Sequence, residues 1–227
     1  VKPKLDNPVF DALISGDRQF ANGTENVNYF DSEISPFVGI KTGYEKGFDD
    51  LFALLPESRF VLHATPENME TPQGWKLVQK IPGIQMILTD SAVFPSLVSK
   101  PVPLGEQHVA EMVELATLTR PGPFGLKTIL FGNYHGIFQN GKLAAMAGQR
   151  LHPYNFTEIS AVCTHPDFLG KGYAAALVQH QAECILAAGR KAFLHVRKDN
   201  ERAITLYQRL GFVYSGDMNF YFMKRLA

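Results

Sequence analysis

The sequence predicts an α/β fold in which helices cover both faces of a mixed sheet, preceded by a less regular α+β portion. Three features of the second half of the chain carry that reading. Two strand-like runs, 134–138 and 142–150, flank Asn140-Gly141, a dipeptide that favours a tight hairpin because both residues tolerate positive φ. Between 172 and 188, Leu177, Val178, Ala182, Ile185 and Leu186 recur at helical spacing and Gly189 stops the pattern, as in an amphipathic helix with a C-terminal glycine. Further on, strand, helix, strand and strand patterns succeed one another, and such an order buries its apolar faces by layering helices on a sheet.

The elements follow in chain order. In the first hundred residues, turn chemistry marks Asn22-Gly23 and Pro82-Gly83. Helices are expected near 8–20 and 47–54, and strands near 60–64, 75–79 and 85–89. Pro95, Pro101 and Pro103 fall within 91–105, and proline suppresses both helix and central strand. That stretch is the expected boundary between an N-terminal domain, 1–100, and a C-terminal domain, 101–227. Beyond it, Val109, Met112, Val113 and Ala116 predict a helix over 106–117 that ends before Pro121 and Pro123. A third strand, 157–164, continues the meander. A helix over 172–188, a strand over 192–196, a helix over 200–210 stopped by Gly211, and strands near 212–214 and 219–224 complete the order.

Bulk properties narrow the function. A chain of 227 residues with 45% hydrophobic composition is long enough for one large core or two modest ones. Lys and Arg number 22, as do Asp and Glu, so no net charge holds the chain on nucleic acid or an anionic membrane. No apolar run approaches the roughly 20 residues of a membrane span, and no signal-peptide pattern opens the sequence; a cytoplasmic protein is expected. Cys163 and Cys184 are the only cysteines, in an expected strand and the helix after it, which suits reduced thiols. Nothing in the spacing of His135, His152 and His165 marks a metal site.

The chemistry concentrates at 162–174, where a strand passes through Pro166 and a glycine-containing turn into a helix. The first N–H groups of a helix lack partners and carry roughly half a positive charge, which suits an anion. Gly170 and Gly172 let the backbone approach a phosphate, small Ala174 keeps that approach open, and Lys171 adds charge at the rim. A glycine pair alone is equally the mark of a plain turn. The Walker A ending is absent. Gly170, Gly172 and Ala175 match a dinucleotide-binding fingerprint on paper, but the antiparallel hairpin before them and the proline-containing connector do not suit it.

Thr164-His165-Pro166-Asp167-Phe168-Leu169-Gly170-Lys171-Gly172-Tyr173-Ala174 resembles motif A of the GNAT acyltransferases, Arg/Gln-x-x-Gly-x-Gly/Ala after a strand and a proline-containing loop. The block from Leu194 through Asn200 to Phe212 is similar to motif B, with Asn200, Ala203-Ile204, Leu206-Tyr207 and Leu210-Gly211-Phe212 at the family spacing. The resemblance covers 104–227, and the whole chain resembles the glycine N-acyltransferase-like branch, which sets an N-terminal portion before the catalytic domain. It implies a GNAT fold, acetyl-CoA as co-substrate, no metal, and transfer of an acyl group to a primary amine of a small-molecule or peptide acceptor by direct attack in a ternary complex. It implies that the backbone of Val162, Cys163 and Thr164 pairs with the pantetheine arm across a gap between the strands ending at Thr164 and Val196. Leu169, Gly170, Lys171, Gly172, Tyr173 and Ala174 would hold the pyrophosphate, and Asn200 would add a contact while capping its helix. Leu169 departs from the usual Arg or Gln, which implies a weaker grip. The N-terminal portion is expected to shape the acceptor side or to be a degenerate copy of the same fold, although no second phosphate loop is legible. Self-association is left open.

Amine acylation needs a base, donors for the oxyanion and an acid for the leaving thiolate. Tyr207 aligns with the tyrosine that many GNAT enzymes use as the acid; its alternative is a core position beside Ala203 and Leu210. Glu158 matches a strand glutamate of histone-type acetyltransferases, and burial beside Ile159 and Ala161 would raise its pKa; its alternative is a structural ion pair. His195 competes for the base, because imidazole titrates near neutrality; its alternative is a core histidine. Strand alternation places Cys163 opposite Glu158 and Thr164, which argues against an acyl-enzyme. The competing reading of the chain is a non-catalytic acyl-CoA-binding or sensing module.

Overall fold

The computed structural model describes residues 5–89 and 99–227. The chain runs through α1 (Pro8–Leu13), β1 (Asn22–Gly23), β2 (Val27–Tyr29), β3 (Phe37–Ile40), α2 (Gly47–Leu54), β4 (Phe60–Thr65), β5 (Trp75–Leu88), β6 (Val102–Pro103) and α3 (Val109–Thr119). It continues through β7 (His135–Gln139), β8 (Lys142–Arg150), β9 (Phe156–Thr164), α4 (Tyr173–Ala187), β10 (Lys191–Arg197), α5 (Glu201–Arg209) and β11 (Phe212–Arg225). Short 3-10 turns lie at Arg18–Phe20, Glu106–His108, Thr128–Phe131 and Pro166–Phe168.

Among the described residues, eleven strands form one mixed sheet in the order β1-β2-β3-β4-β11-β5-β10-β9-β8-β7-β6. The order is balanced about its centre. In the first half β3 lies parallel to β4 with α2 between them in sequence; in the second, β9 lies parallel to β10 with α4 between them. Each half then gives its last strand to the other, because β5 pairs with β10 and β11 pairs with β4. The two exchanged strands pair with each other along their length. The expected segments 1–100 and 101–227 thus contribute to a single hydrogen-bonded ladder.

Three short sequences recur at equivalent places. Lys46-Gly47-Phe48 opens α2 as Lys171-Gly172-Tyr173 opens α4, Leu62-His63 lies in β4 as Leu194-His195 lies in β10, and Gly74-Trp75 enters β5 as Gly211-Phe212 enters β11. The halves differ between the last two landmarks: α5 bridges β10 to β11, whereas residues 66–74 contain no helix.

Helices cover both faces. Leu13 of α1 and Met112 and Leu115 of α3 share one core with Phe156, Cys163 and Phe193. Val178, Ala182 and Ile185 of α4 and Tyr207 of α5 meet Ile159 and Leu194 on the other face. The hairpin forms as the sequence requires, with Asn140 and Gly141 at φ 51° and 76°. Four expectations need correction. The helix expected over 8–20 stops at Leu13, and the chain after it turns to meet 152–154, where Asp17 accepts from His152 N–H at 2.9 Å, Ser15 Oγ accepts from Tyr154 N–H at 2.9 Å and Gly16 packs closely against His152. The strands expected at 75–79 and 85–89 are one strand through Pro82. Pro82 is tolerated because β10 pairing ends at Gly83 opposite Arg197, while the Pro82 carbonyl still accepts from Lys198 N–H. The strands expected at 212–214 and 219–224 are likewise one, with a bulge between Tyr214 and Gly216. The helix expected over 106–117 opens with a 3-10 turn and runs to Thr119, where Arg120 ends it at φ 52°. Of the boundary prolines, Pro95 lies outside the described residues, and Pro101 and Pro103 adjoin or lie in the short edge strand β6.

Candidate functional site

β9 and β10 are hydrogen-bonded only at their starts, from Lys191 opposite Phe156 to Phe193 opposite Glu158. Beyond Glu158 they part, so among the described residues the β9 edge from Ile159 to Thr164 has no strand beside it on that side. The divergence opens onto a cleft of about 390 Å³, whose lining includes Glu158, Val162, Cys163, Thr164, His195, Asn200 and Tyr207. The Thr164 hydroxyl is buried there without a hydrogen-bond partner.

A bulge redirects the β9 side chains. Met146 pairs with Cys163 and Gly148 with Ser160, which leaves Ala161 and Val162 opposite the single residue Ala147. Ala161 takes φ 54°. The extra residue reverses the alternation, so Cys163 packs in the core with Phe156 and Phe193, on the Glu158 side. This corrects the expectation that Cys163 faces away from Glu158. Burial pushes the Cys163 thiol up to about 11, so at neutral pH it is a weak nucleophile.

Glu158, Arg150, His195 and Gln85 form one chain of hydrogen bonds. Arg150 grips Glu158 in a bidentate pair, Nε to Oε2 at 2.9 Å and Nη2 to Oε1 at 2.7 Å. His195 Nδ1 lies 2.8 Å from Glu158 Oε1. Gln85 Nε2 lies 3.0 Å from the Leu5 carbonyl oxygen and 3.0 Å from His195 Nε2. An acceptor at Leu5 identifies that Gln85 atom as the amide nitrogen, so it donates to both. His195 Nε2 therefore accepts, and its proton sits on Nδ1 and donates to Glu158. Burial raises the Glu158 pKa, as expected from the sequence, but the charge of Arg150 and the contacts of His195 outweigh it and hold the carboxyl at about 2. The expected upward shift is corrected: a carboxylate so firmly held is a poor acceptor for a substrate proton.

Tyr207 projects from α5 into the same cleft and into the core beside Phe212, with ring centroids 6.2 Å apart. Burial pushes its hydroxyl up to about 12, so it is protonated at neutral pH. Asn200 caps α5, its Oδ1 accepting from Ala203 N–H at 3.1 Å.

The loop from Leu169 to Ala174 is not part of the cleft lining; it stands at the α4 N-terminus, beyond a 3-10 turn. Gly170 and Gly172 adopt φ 78° and 75°, a conformation open to glycine, and an added Cβ at Gly170 would meet nothing within 4 Å. Among the described residues, the amides of 170–175 find no backbone acceptor. Leu169 is half exposed, Lys171 lies over the Phe168 ring at 5.1 Å, and the Tyr173 side chain packs into the core with Ala144 and Leu177. The equivalent loop at α2 is filled: Tyr44 Oη donates to Asp50 at 2.7 Å, Asp49 and Asp50 occupy the first turn, and an added Cβ at Gly47 would meet Ile40 at 2.3 Å.

Sequence reasoning missed Arg150 and Gln85. Arg150 was within reach, since the hairpin sets it directly opposite Glu158 and opposite charges favour such pairs. Gln85 carried no signal, because its partner strand comes from the other half of the chain.

Residues 134–221 match the family described as FR47-like protein. A 52-residue segment is 42% identical to the spermine/spermidine N(1)-acetyltransferase of Bacillus subtilis (strain 168), covering 23% of this chain and 33% of that protein; the match thus spans about a third of the curated relative. A GCN5-related N-acetyltransferase from Kribbella flavida shares the fold at TM-score 0.66 and 13% identity, over 96% of this chain and 95% of that one. A crystal structure assigned to the GNAT acetyltransferases, from Novosphingobium aromaticivorans, superposes at TM-score 0.90 with 32% identity, over 98% of this chain and 99% of that one. With that identity along nearly all of both chains, the protein belongs to the GNAT family of acetyltransferases.

Proposed function

We propose that the protein is an N-acetyltransferase that takes the acetyl group of acetyl-CoA to a primary amine by direct attack in a ternary complex. The observation that carries the reading is the parting of β9 from β10 beside a helix N-terminus with unfilled amides. An extended arm bearing amides complements the free β9 edge at Val162, Cys163 and Thr164, and the orphaned Thr164 hydroxyl suits a polar group of that arm. A pyrophosphate complements the amides at Leu169 to Ala174. Tyr207, held protonated, acts as the acid for the leaving thiolate. Glu158 and His195 line the cleft with their hydrogen-bonding positions engaged, so the acceptor reacts as its free amine, and the proton its nitrogen sheds after attack passes to solvent. The buried thiol of Cys163 favours direct attack over an acyl-enzyme.

Within the family, an N-terminal portion ahead of the cofactor-binding half likens the chain to the glycine N-acyltransferase-like branch. That portion is read as a degenerate copy of the same unit, converted into the acceptor wall. The recurring Lys-Gly-aromatic, Leu-His and Gly-aromatic landmarks support this, as do the carboxylates in the first turn of α2. The competing non-catalytic reading draws on the tightly bonded Glu158 and His195. Thiol release from acetyl-CoA, followed with a panel of primary amines, decides between them. Amine-dependent release that falls in Tyr207→Phe supports the enzyme, and acetyl-CoA binding with no release for any amine supports the binding module.

A further inference from the structure

The cleft also constrains the acceptor. Among the described residues, Glu158 is the one carboxylate in its lining, and it is committed to Arg150 and His195. The uncommitted charge is positive: Arg120 has no acidic partner among the described residues, while Arg150 is paired with Glu158 and lies over the Phe37 ring at 4.7 Å. Phe37, Leu62, Ile81 and Phe220 from β3, β4, β5 and β11 form an apolar patch in the lining, which also carries Thr119 and Arg197, the latter paired with Asp199. A second ammonium on the acceptor would therefore lose its hydration against hydrocarbon, next to arginines, with no anion to replace the water. We infer that the acceptor is an amine with an apolar body and no second positive charge, and that polyamines are excluded. The inference rests on the acetyl-transfer reading above. It departs from the polyamine acceptors named for the Bacillus relative, whose similarity is confined to 52 residues.

The test compares phenethylamine and isoamylamine with putrescine and spermidine as acceptors for the 227-residue chain, with acetyl-CoA binding measured separately by calorimetry. The apolar monoamines are expected to show kcat/KM higher by about tenfold or more, the scale of one lost or unfavourable charged contact. Equal or better transfer to putrescine or spermidine overturns the inference, as does acetyl-CoA binding without transfer to either monoamine. Ile81→Asp, which adds a carboxylate to the wall, is expected to move the spermidine-to-phenethylamine ratio upward by about tenfold. An unmoved ratio in a variant that still binds acetyl-CoA counts against it, and if the variant does not fold the wild-type rates decide alone. Absence of acetyl-CoA binding by the wild type sinks the acetyl-transfer reading itself, and this inference with it.

Discussion

The half that contributes β3, α2 and β4 and the half that contributes β9, α4 and β10 share a topology and three sequence landmarks, yet they place different chemistry at equivalent points. In the second half β9 and β10 diverge, α4 opens with Tyr173 and three alanines and no carboxylate in its first turn, and α5 brings Asn200 and Tyr207 to the gap. In the first, α2 opens with Asp49 and Asp50, and its loop closes on itself through Tyr44. The contrast is sharpest at the two histidines. His195 is hydrogen-bonded at both ring nitrogens, whereas the buried Nδ1 of His63 finds no partner among the described residues and burial pushes its pKa down to about 4. The second half builds a polar network around its histidine; the first leaves its own with packing and a backbone contact to Val38. The exchanged strands then make each half depend on the other, since Gln85 of β5 holds His195 of β10.

The largest expected effect comes from breaking the network that only the second half possesses. Arg150→Met leaves Glu158 buried with only the His195 hydrogen bond, and should lower unfolding free energy by about 3–5 kcal/mol in urea titrations. Adding Glu158→Leu should restore most of that loss. A loss under about 1 kcal/mol for the single variant would mean that the pair is more hydrated than its geometry indicates.

Tyr207→Phe comes next. It should reduce kcat by about a hundredfold, the usual scale of a lost general acid, while acetyl-CoA affinity is unchanged. An unaltered kcat would return Tyr207 to a purely core role. Because Glu158 is held at about 2, the pH profile of kcat/KM should show no carboxylate inflection between pH 4 and 6; one there would reinstate Glu158 as the base.

Most of the second half was legible in the sequence, and the reason is local. Asn140-Gly141 sets the hairpin, the α4 stripe needs no tertiary information, and the Asn200 to Phe212 block carries its own caps. The first half resisted reading where distant partners decide. Pro82 reads as a turn until β10 and β11 are known to flank it, and the landmarks shared by the halves are short and differently spaced. Glu158, His195 and Tyr207, singled out in the sequence, all line the cleft, but the protonation of Glu158 and the orientation of Cys163 were not legible. The Glu158 pKa depends on Arg150 across the hairpin, and the side of Cys163 depends on a bulge that a period-two count does not register.

Acidification separates the halves by a smaller effect. His63 has its pKa depressed from 6.5 to about 4. Its contribution to stability is therefore full above pH 6.5 and is lost as pH falls through 4. Glu158, depressed from 4.5 to about 2, contributes fully above pH 4.5 and loses that contribution as pH falls toward 2. Hydrogen-exchange protection factors should accordingly fall in β4 between pH 6.5 and 4, ahead of β9 and β10, and His63→Leu should abolish the lead. Simultaneous loosening of β4 and β9 in the wild type would contradict the assigned contrast. The smallest change expected is in Leu169→Arg, which supplies the charge usual in the family and should tighten acetyl-CoA binding about threefold to tenfold; an unchanged or weaker affinity would place the pyrophosphate away from this side chain.

The central claim is that one of two related halves holds acetyl-CoA, and calorimetric titration tests it most directly. The account predicts one acetyl-CoA per chain, with affinity lowered about tenfold or more by Gly172→Val, which forces a β-branched residue to positive φ at the phosphate turn. Asp50→Ala at the α2 turn should leave that affinity unchanged. Two molecules bound per chain, or a single site sensitive to Asp50→Ala and indifferent to Gly172→Val, would contradict it.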